Sequence, residues 1–225
     1  IAFSDVIGAR KGQVTESDSK LSGQSLFAFD AEADAYLVAL ADGQVLMIEA
    51  SEVTRAPLTT IDKTRSVCEL TFDASPACLV TDDMALVKQT ILRGRAVQAA
   101  DTLGAAQYML DQAVAYSLER KQFNRVVGSF QAVKHMCAEM ASQLEPCRAF
   151  TWYAGHAFDE RVDDAALTAC HAKAHLAEVG QFVAKTSTEV HGGMGFTDLM
   201  GLHFWFKRIG FNRQLLGSPE AVRHE

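Results

Sequence analysis

The most constraining feature of this 225-residue chain is a stretch from residue 86 to residue 121 that contains no proline. It includes only two glycines, Gly94 and Gly104, and is otherwise rich in good helix formers. The preceding Thr-Asp-Asp sequence at 81–83 is typical of an N-cap. The pattern predicts a helix much longer than the globular average, of the kind found in long antiparallel bundles.

Three further helices are predicted after this one. The second covers 130–158, where apolar residues recur at helical spacing. A link at 161–164 leads to a third helix over 165–191, which a glycine-rich run ends. The last helix extends from about residue 200 toward residue 225, with an interruption near Gly210.

The residues before the long helix are predicted to form β structure. Apolar runs at 36–40 and 44–50 flank the Ala-Asp-Gly sequence at 41–43, which is a strong signal for a β-hairpin. Residues 20–23 predict a turn, followed by a short strand at 26–29. Such short strands fit a small barrel or sandwich that needs covering from elsewhere.

The two halves together predict an α+β fold. A small β-barrel or sandwich domain is expected at 1–82, followed by an antiparallel four-helix bundle domain at 83–225. No internal repeat is apparent in either half.

Charge and cysteine content restrict the partners and the compartment. The formal net charge of -7 argues against a nucleic-acid partner. No apolar stretch is long enough to span a bilayer. The five cysteines are far apart and form no CxxC pair, as expected for reduced thiols of a cytoplasmic protein. The chain begins with Ile1 and has no signal-peptide pattern, so we expect it to be part of a longer cytoplasmic protein.

Residues 116–135, YSLERKQFNRVVGSFQAVKH, carry four cations where the long helix breaks: Arg120, Lys121, Arg125 and Lys134. In one interpretation they interact favourably with the dipole at the helix C-terminus. In the other, Arg120 binds an anion such as a pyrophosphate, because a guanidinium matches phosphate oxygens in a bidentate manner. The cations alone favour the helix-dipole interpretation.

The order of these residues resembles a known family. ERKQF at 119–123 with Gln131 and His135, followed two helices later by VHGGMGF at 190–196, resembles the acyl-CoA dehydrogenase family. The resemblance spans nearly the whole chain. It implies the fold described above, without the N-terminal helical domain of that family. It also implies α,β-dehydrogenation of an acyl-CoA thioester to the trans-2-enoyl-CoA, with FAD as cofactor and electron-transfer flavoprotein as acceptor.

The resemblance implies six FAD-binding residues: Arg120, Phe123, Gln131, Glu189, Gly192 and Gly193. Arg120 corresponds to the arginine that meets the FAD pyrophosphate of the neighbouring subunit, and Phe123 to an aromatic residue near the adenosine half. Gln131 corresponds to a glutamine that contacts the cofactor across the interface. The diglycine has a bare backbone that a pyrophosphate can approach, although outside this context it is equally a helix C-cap. Glu189 stands where glutamine is usual, and its charge would repel the pyrophosphate.

The flavin-ring and base positions depart from the family. The family has an aromatic residue and, two positions later, a threonine at the flavin. Aligned on the turn at 20–23, these positions are Phe27 and Phe29, which has no hydroxyl. The usual base, a glutamate near the C-terminus, corresponds to Leu216, and the alternative base on the long helix corresponds to Gly94. Neither residue can take a proton, so no catalytic residue is predicted in this chain.

Other ionisable residues near these positions have ordinary interpretations. Asp101 lies two helical turns from Gly94 and Glu220 one turn from Leu216, and either could substitute as a base. Solvated or capping roles are the commoner ones for such carboxylates. His171 and His175 have the i,i+4 spacing of metal ligands, but no third ligand is near in sequence, so no metal site is predicted.

Some members of the family, including those that shorten sterol side chains, are heteromers in which one subunit has lost the base and part of the flavin pocket. The chain resembles such a degenerate partner. We therefore expect an α2β2 assembly with a homologous catalytic subunit, FAD at the shared interface and an acyl-CoA substrate. Two alternatives stay open: a self-sufficient dehydrogenase with an unrecognised carboxylate base, and a cofactor-free scaffold of the same fold.

Overall fold

The computed structural model describes residues 1–3, 6, 12–160 and 163–225. Antiparallel sheets are followed by helices, which confirms the predicted α+β class. The chain divides into two compact units, Ile1–Ile91 and Leu92–Glu225. The division falls inside the first helix, and the domain boundary after residue 82 stays a prediction. The predicted link at 161–164 begins outside the described residues.

The first unit contains two antiparallel sheets. The strands are β1 (Gln13–Ser17), β2 (Lys20–Phe29), β3 (Ala35–Ala39), β4 (Val45–Glu49), β5 (Thr54–Pro57), β6 (Val67–Pro76) and β7 (Cys78–Thr81). One sheet has the order β1-β2-β6-β5 and the other the order β3-β4-β7. The predicted hairpin at 41–43 is confirmed, because β3 pairs with β4 around it in the register Ala39 to Val45. Gly43 has a φ of 98°, which is the conformation that favours glycine at such a turn.

The predicted turn at 20–23 is wrong. These residues belong to β2, which runs unbroken to Phe29, and the turn lies at Asp18 and Ser19, which have φ values of 51° and 60°. Gly23 has a φ of 112° within the strand, where the β2–β6 register shifts between Leu21 and Gly23. The glycine therefore marks an irregularity inside a strand, as glycines in strands often do.

The helices are α1 (Met84–Glu119), α2 (Gln131–Asp159), α3 (Ala165–His191), α4 (Leu202–Gln214) and α5 (Pro219–His224). Short 3-10 helices occur at Ala50–Glu52, Val127–Ser129 and Gly192–Phe196. Asp83 accepts a hydrogen bond from the Ala85 amide at 2.8 Å, which confirms the predicted N-cap of α1. Gly210 lies within α4, so the predicted interruption there is wrong; the chain breaks instead between Gln214 and Pro219.

In the second unit, α1 from Leu92 onward forms an antiparallel bundle with α2, α3 and α4. Ser187 on α3 donates to the Met109 carbonyl on α1 at 2.7 Å, and the Arg148 guanidinium on α2 donates to Gln107 on α1 at 3.0 Å. The core between them is dominated by alanine and leucine, and its members include Ala106, Met109, Met140, Leu144, Ala172, Leu176 and Ile209. We call the end where α1 ends, α2 begins and α3 ends the hairpin end, because it carries the β8–β9 hairpin (Lys121–Gln122 with Arg125–Val126).

Among the described residues, no helix combines the length and the apolar character that crossing a membrane requires.

Candidate functional site

The break after α1 is a two-residue hairpin turn. Phe123 and Asn124 have φ values of 55° and 63°, the combination that a type I′ turn requires. Asn tolerates this left-handed conformation, whereas Phe adopts it rarely and at an energetic cost. The side chain of Phe123 is nevertheless 86% exposed. A large apolar ring held in solvent on a strained turn is typical of a contact surface rather than of a core.

Exposed cations surround this turn. The Arg125 guanidinium lies over the Phe130 ring, 3.8 Å from its centroid. Arg120 is exposed, and in the described part of the chain its side chain makes no hydrogen bond or ion pair. Its backbone amide donates to the Tyr116 carbonyl, as in a helix. Its guanidinium is therefore available to an anion. Gln131, the first residue of α2, is also exposed and lies 3.4 Å from His135 between side-chain nitrogens.

The diglycine lies at the same end of the bundle. Gly192 ends α3 with φ 58° and ψ -139°, a combination that only glycine adopts readily. At Gly192 and Gly193 an added Cβ would meet nothing within 4 Å, so open space faces both residues. Gly193 has neither a positive φ nor a close neighbour that would demand glycine. The exposed Glu189 lies one turn earlier and adds a negative charge near this space.

A buried histidine that the sequence reasoning did not single out joins the two motifs. His191 stacks on Tyr116 of α1, with ring centroids 4.5 Å apart, and so places Gly192 beside the last turn of α1. Its Nδ1 lies 2.7 Å from the Ser187 carbonyl and must donate to it, which leaves Nε2 as an acceptor. Burial lowers the pKa of His191 and keeps the ring neutral. The sequence signal that could have identified His191 is its position within the VHGGMGF motif.

At the opposite end of the bundle, the structure brings together Gly94 and Leu216, the two positions that the resemblance predicts for the family's base. A Cβ added at Gly94 would lie 2.7 Å from Cδ1 of Leu216. Leu216 follows α4 in a left-handed conformation, with a φ of 57°. Residues 122 positions apart in sequence thus face each other, and both are apolar. An apolar contact occupies the place where a carboxylate would be expected.

Arg95, next to Gly94 on α1, holds this loop in place. Its side chain is fully buried, at 0% exposure, and its Nε donates to the Leu216 carbonyl at 2.9 Å. Its two Nη atoms donate to the two carboxylate oxygens of Glu225 at 2.7 and 2.9 Å. Burial opposes the Arg95 charge, but Glu225 outweighs it and the pKa of Arg95 is raised. The same hydrogen bonds lower the pKa of Glu225.

The two carboxylates considered as substitute bases are both ion-paired. Asp101 accepts from the Arg208 guanidinium at 2.6 Å and from the Asn212 amide at 2.6 Å. Glu220 pairs with Arg213 at 2.6 Å in the first turn of α5. Hydrogen bonds from its own backbone amide, from Ser218 and from Arg213 lower the pKa of Glu220 to about 2. A carboxylate held in this way is a poor proton acceptor at neutral pH.

Lys173 is a second buried cation near Arg95. The residue is only 2% exposed, and its amine donates to the Asn212 and Arg213 carbonyls at the C-terminal end of α4. Burial, and then repulsion from Arg95 and Arg213, lower the pKa of Lys173 to about 7. Backbone carbonyls at 212, 213 and 216 therefore accept from two buried cations, which immobilises the segment that carries Leu216.

In the first unit, Phe27 and Phe29 lie on β2 with their rings in edge contact, 5.2 Å between centroids. Phe29 is paired with Val67 of β6 and is partly buried. The side chain at 29 thus packs against its neighbour, and it has no hydroxyl to offer.

Comparison with known proteins identifies the family. The profile described as "Acyl-CoA dehydrogenase, C-terminal domain" matches residues 84–224. The chain therefore belongs to the acyl-CoA dehydrogenase family, as the two motifs predicted.

Three individual similarities are informative. Acyl-CoA dehydrogenase IpdE2 of Mycolicibacterium smegmatis is 32% identical over 179 residues, 80% of this chain and 53% of that protein. The caffeyl-CoA reductase–Etf complex subunit CarC of Acetobacterium woodii is 33% identical over 108 residues, 48% of this chain and 28% of that protein. A solved variant of the Tcur3481–Tcur3483 steroid ACAD superposes with a TM-score of 0.84 at 26% identity, covering 95% of this chain and 60% of that one. The chain spans about half the length of IpdE2.

Proposed function

We propose that this chain is a subunit of a flavin-dependent acyl-CoA dehydrogenase that lends FAD contacts to a catalytic partner subunit. The observation that carries the proposal is the contact between Gly94 and Leu216. The two positions that the resemblance assigns to the family's base meet there, and neither side chain can accept a proton. The hairpin end, in contrast, retains its arginine, glutamine and diglycine.

The residues at the hairpin end fit an anionic cofactor such as FAD. Arg120 has a free guanidinium, and Gly193 borders open space that a side chain would fill. The contact between Tyr116 and His191 supports placing both on one surface. In this proposal Arg120, Gln131, Gly192 and Gly193 hold the pyrophosphate and its surroundings, and Phe123 contacts the adenosine half. Bound FAD supplies the hydride-accepting chemistry of the family.

In this proposal the chain does not itself transfer the proton, because its predicted base positions carry no proton acceptor. Leu216 and Gly94 keep the position apolar, and Arg95 and Lys173 hold its backbone still. Removal of the α-proton of the thioester needs a positioned base, which in this proposal is the glutamate of the partner. The proposed assembly is α2β2, with FAD at the shared interface.

The acyl group and the electron acceptor are inferred from the relatives. The structurally similar steroid ACAD supports a bulky acyl-CoA, such as one with a steroid ring system, as the substrate. The similarity to a subunit of a caffeyl-CoA reductase–Etf complex supports electron-transfer flavoprotein as the acceptor. A cytoplasmic location fits both.

Flavin content tests the proposal. The chain is co-expressed with a homologous dehydrogenase subunit that carries an intact base, and flavin absorbance per complex is measured. Arg120→Ala should lower flavin retention because it removes a charge-assisted contact worth about 1.5–3 kcal/mol. The matched control is Lys88→Ala, an exposed cation near the start of the same helix, which should retain flavin. Equal flavin in the Arg120→Ala complex and the control would contradict the interface role.

A further inference from the structure

The second unit carries a surface cavity, open to solvent, that the proposed dehydrogenase function does not use. Its volume is about 350 Å³, and the described residues that line it are Phe150 on α2, His171, Ala174 and His175 on α3, and Arg223 on α5. His171 and His175 are near the start of α3, whereas the diglycine follows its end. The cavity is therefore distant along α3 from the proposed FAD contacts. Its size is within the range of small-ligand sites.

Three basic side chains converge on this cavity with unused hydrogen-bonding capacity. His171 and His175 lie one turn apart on the same face of α3, and neither imidazole has a hydrogen bond in the described part of the chain. Arg223 donates through Nη2 to Glu178 at 2.7 Å, which leaves its other N–H groups without a partner among the described residues. The pairing with Glu178 also raises the pKa of Arg223, so its charge is permanent.

The other walls are apolar. The Phe150 ring lies 6.3 Å from the His175 ring between centroids, and Ala174 contributes only a methyl group. The wall formed by His171, His175 and Arg223 thus offers hydrogen-bond donors and a positive charge. The opposite chemistry comes from Phe150, whose ring offers a flat apolar surface. A ligand that matches both has an anionic head and an apolar or aromatic body.

We propose that this cavity binds a phosphate monoester, with the phosphate on His171, His175 and Arg223 and the organic group on Phe150. Three donor groups suit an oxyanion with three terminal oxygens better than a carboxylate with two. A cation is disfavoured, because the fixed charge of Arg223 faces the same space. No group of three or more metal-ligating side chains occurs in the described ranges of the chain.

Calorimetric titration of the whole chain with inorganic phosphate and with phenyl phosphate tests the proposal. Phenyl phosphate should bind about three- to tenfold more tightly, because its ring packs on Phe150. Arg223→Gln, and His171→Asn combined with His175→Asn, should each weaken binding about tenfold or more by removing charge-assisted or paired donors. His224→Asn is the matched control, since His224 is the exposed neighbour of Arg223 and does not line the cavity.

Glu178→Gln should change the phosphate affinity in the opposite direction. It frees the Arg223 guanidinium from its carboxylate partner and removes a negative charge near the phosphate, so binding should tighten. This variant keeps the test decisive if Arg223→Gln destabilises α5. Absence of saturation below about 10 mM phosphate, or equal affinities in all variants, overturns the proposal. Binding of zinc by the histidine pair without any phosphate binding overturns it as well and identifies a metal site.

Discussion

The buried amine of Lys173 makes the stability of the second unit depend on pH in a defined direction. Folding buries Lys173 to 2% exposure near Arg95 and Arg213, and the pKa of its amine falls from 10.5 to about 7. Between these two values the unfolded chain binds a proton that the folded chain does not. Stability therefore rises as pH increases from about 7 toward 10.5, and it decreases over the same range as pH is lowered. Well below pH 7, Lys173 is protonated in both the folded and the unfolded chain, so it no longer makes the unfolding free energy depend on pH.

The magnitude follows from the two pKa values. One unit corresponds to about 1.4 kcal/mol, so the full shift is worth about 5 kcal/mol. Between about pH 7 and about pH 9 the folded chain should gain about 2 kcal/mol from Lys173 alone. In Lys173→Met this gain is absent, because a thioether does not titrate. The difference in unfolding free energy between the native chain and Lys173→Met should thus change by about 2 kcal/mol between the two pH values.

Urea unfolding of both proteins at the two pH values measures this difference, and contributions from all other groups cancel in it. Lys185→Met is the matched control, since Lys185 is an exposed lysine on the same helix and should show no such change. A native-to-variant difference that is the same at both pH values would refute the reasoning, because it would mean that the Lys173 amine is not desolvated in the fold.

Three other changes have definite expected outcomes. Arg95→Met leaves the Leu216 carbonyl without its buried donor, whereas water can solvate the half-exposed Glu225, so the unfolding free energy should fall by about 1–3 kcal/mol. The partly exposed Arg148→Met should lower it by about 1 kcal/mol or less in the same urea titration. Gly193→Ala should leave stability unchanged, because its Cβ meets open space, yet reduce flavin in the partner complex; retained flavin would contradict the cofactor contact. Leu216→Glu should lower the unfolding free energy by about 1–3 kcal/mol. The isolated variant, given FAD and an artificial electron acceptor, should still not oxidise acyl-CoA. Turnover above background would show that only the base had been lost.

Local sequence signals predicted the class of fold and most of the elements. The hairpin at 41–43, the N-cap at Asp83 and the long proline-free helix are specified by neighbouring residues, because caps, turns and helix propensity act over a few positions. The family was also readable, since ERKQF and VHGGMGF are contiguous motifs. The turn at 20–23 was misassigned for the same reason: Gly23 satisfies a turn locally, but pairing with β6 across the sheet makes it part of a strand.

Only the tertiary structure decided what surrounds the base positions. Nothing in the local sequence distinguishes Arg95 from Arg93 or Lys173 from Lys185, because burial of a cation depends on partners distant along the chain. Arg95 reaches Leu216 and Glu225, and Lys173 reaches the end of α4, only when the helices are packed. The contact of Gly94 with Leu216 likewise exists only in the packed bundle. The sequence determined which residues stand at the two predicted base positions. Packing determined that these two residues form one apolar contact beside the buried Arg95 and Lys173, because only packing removes water from both positions.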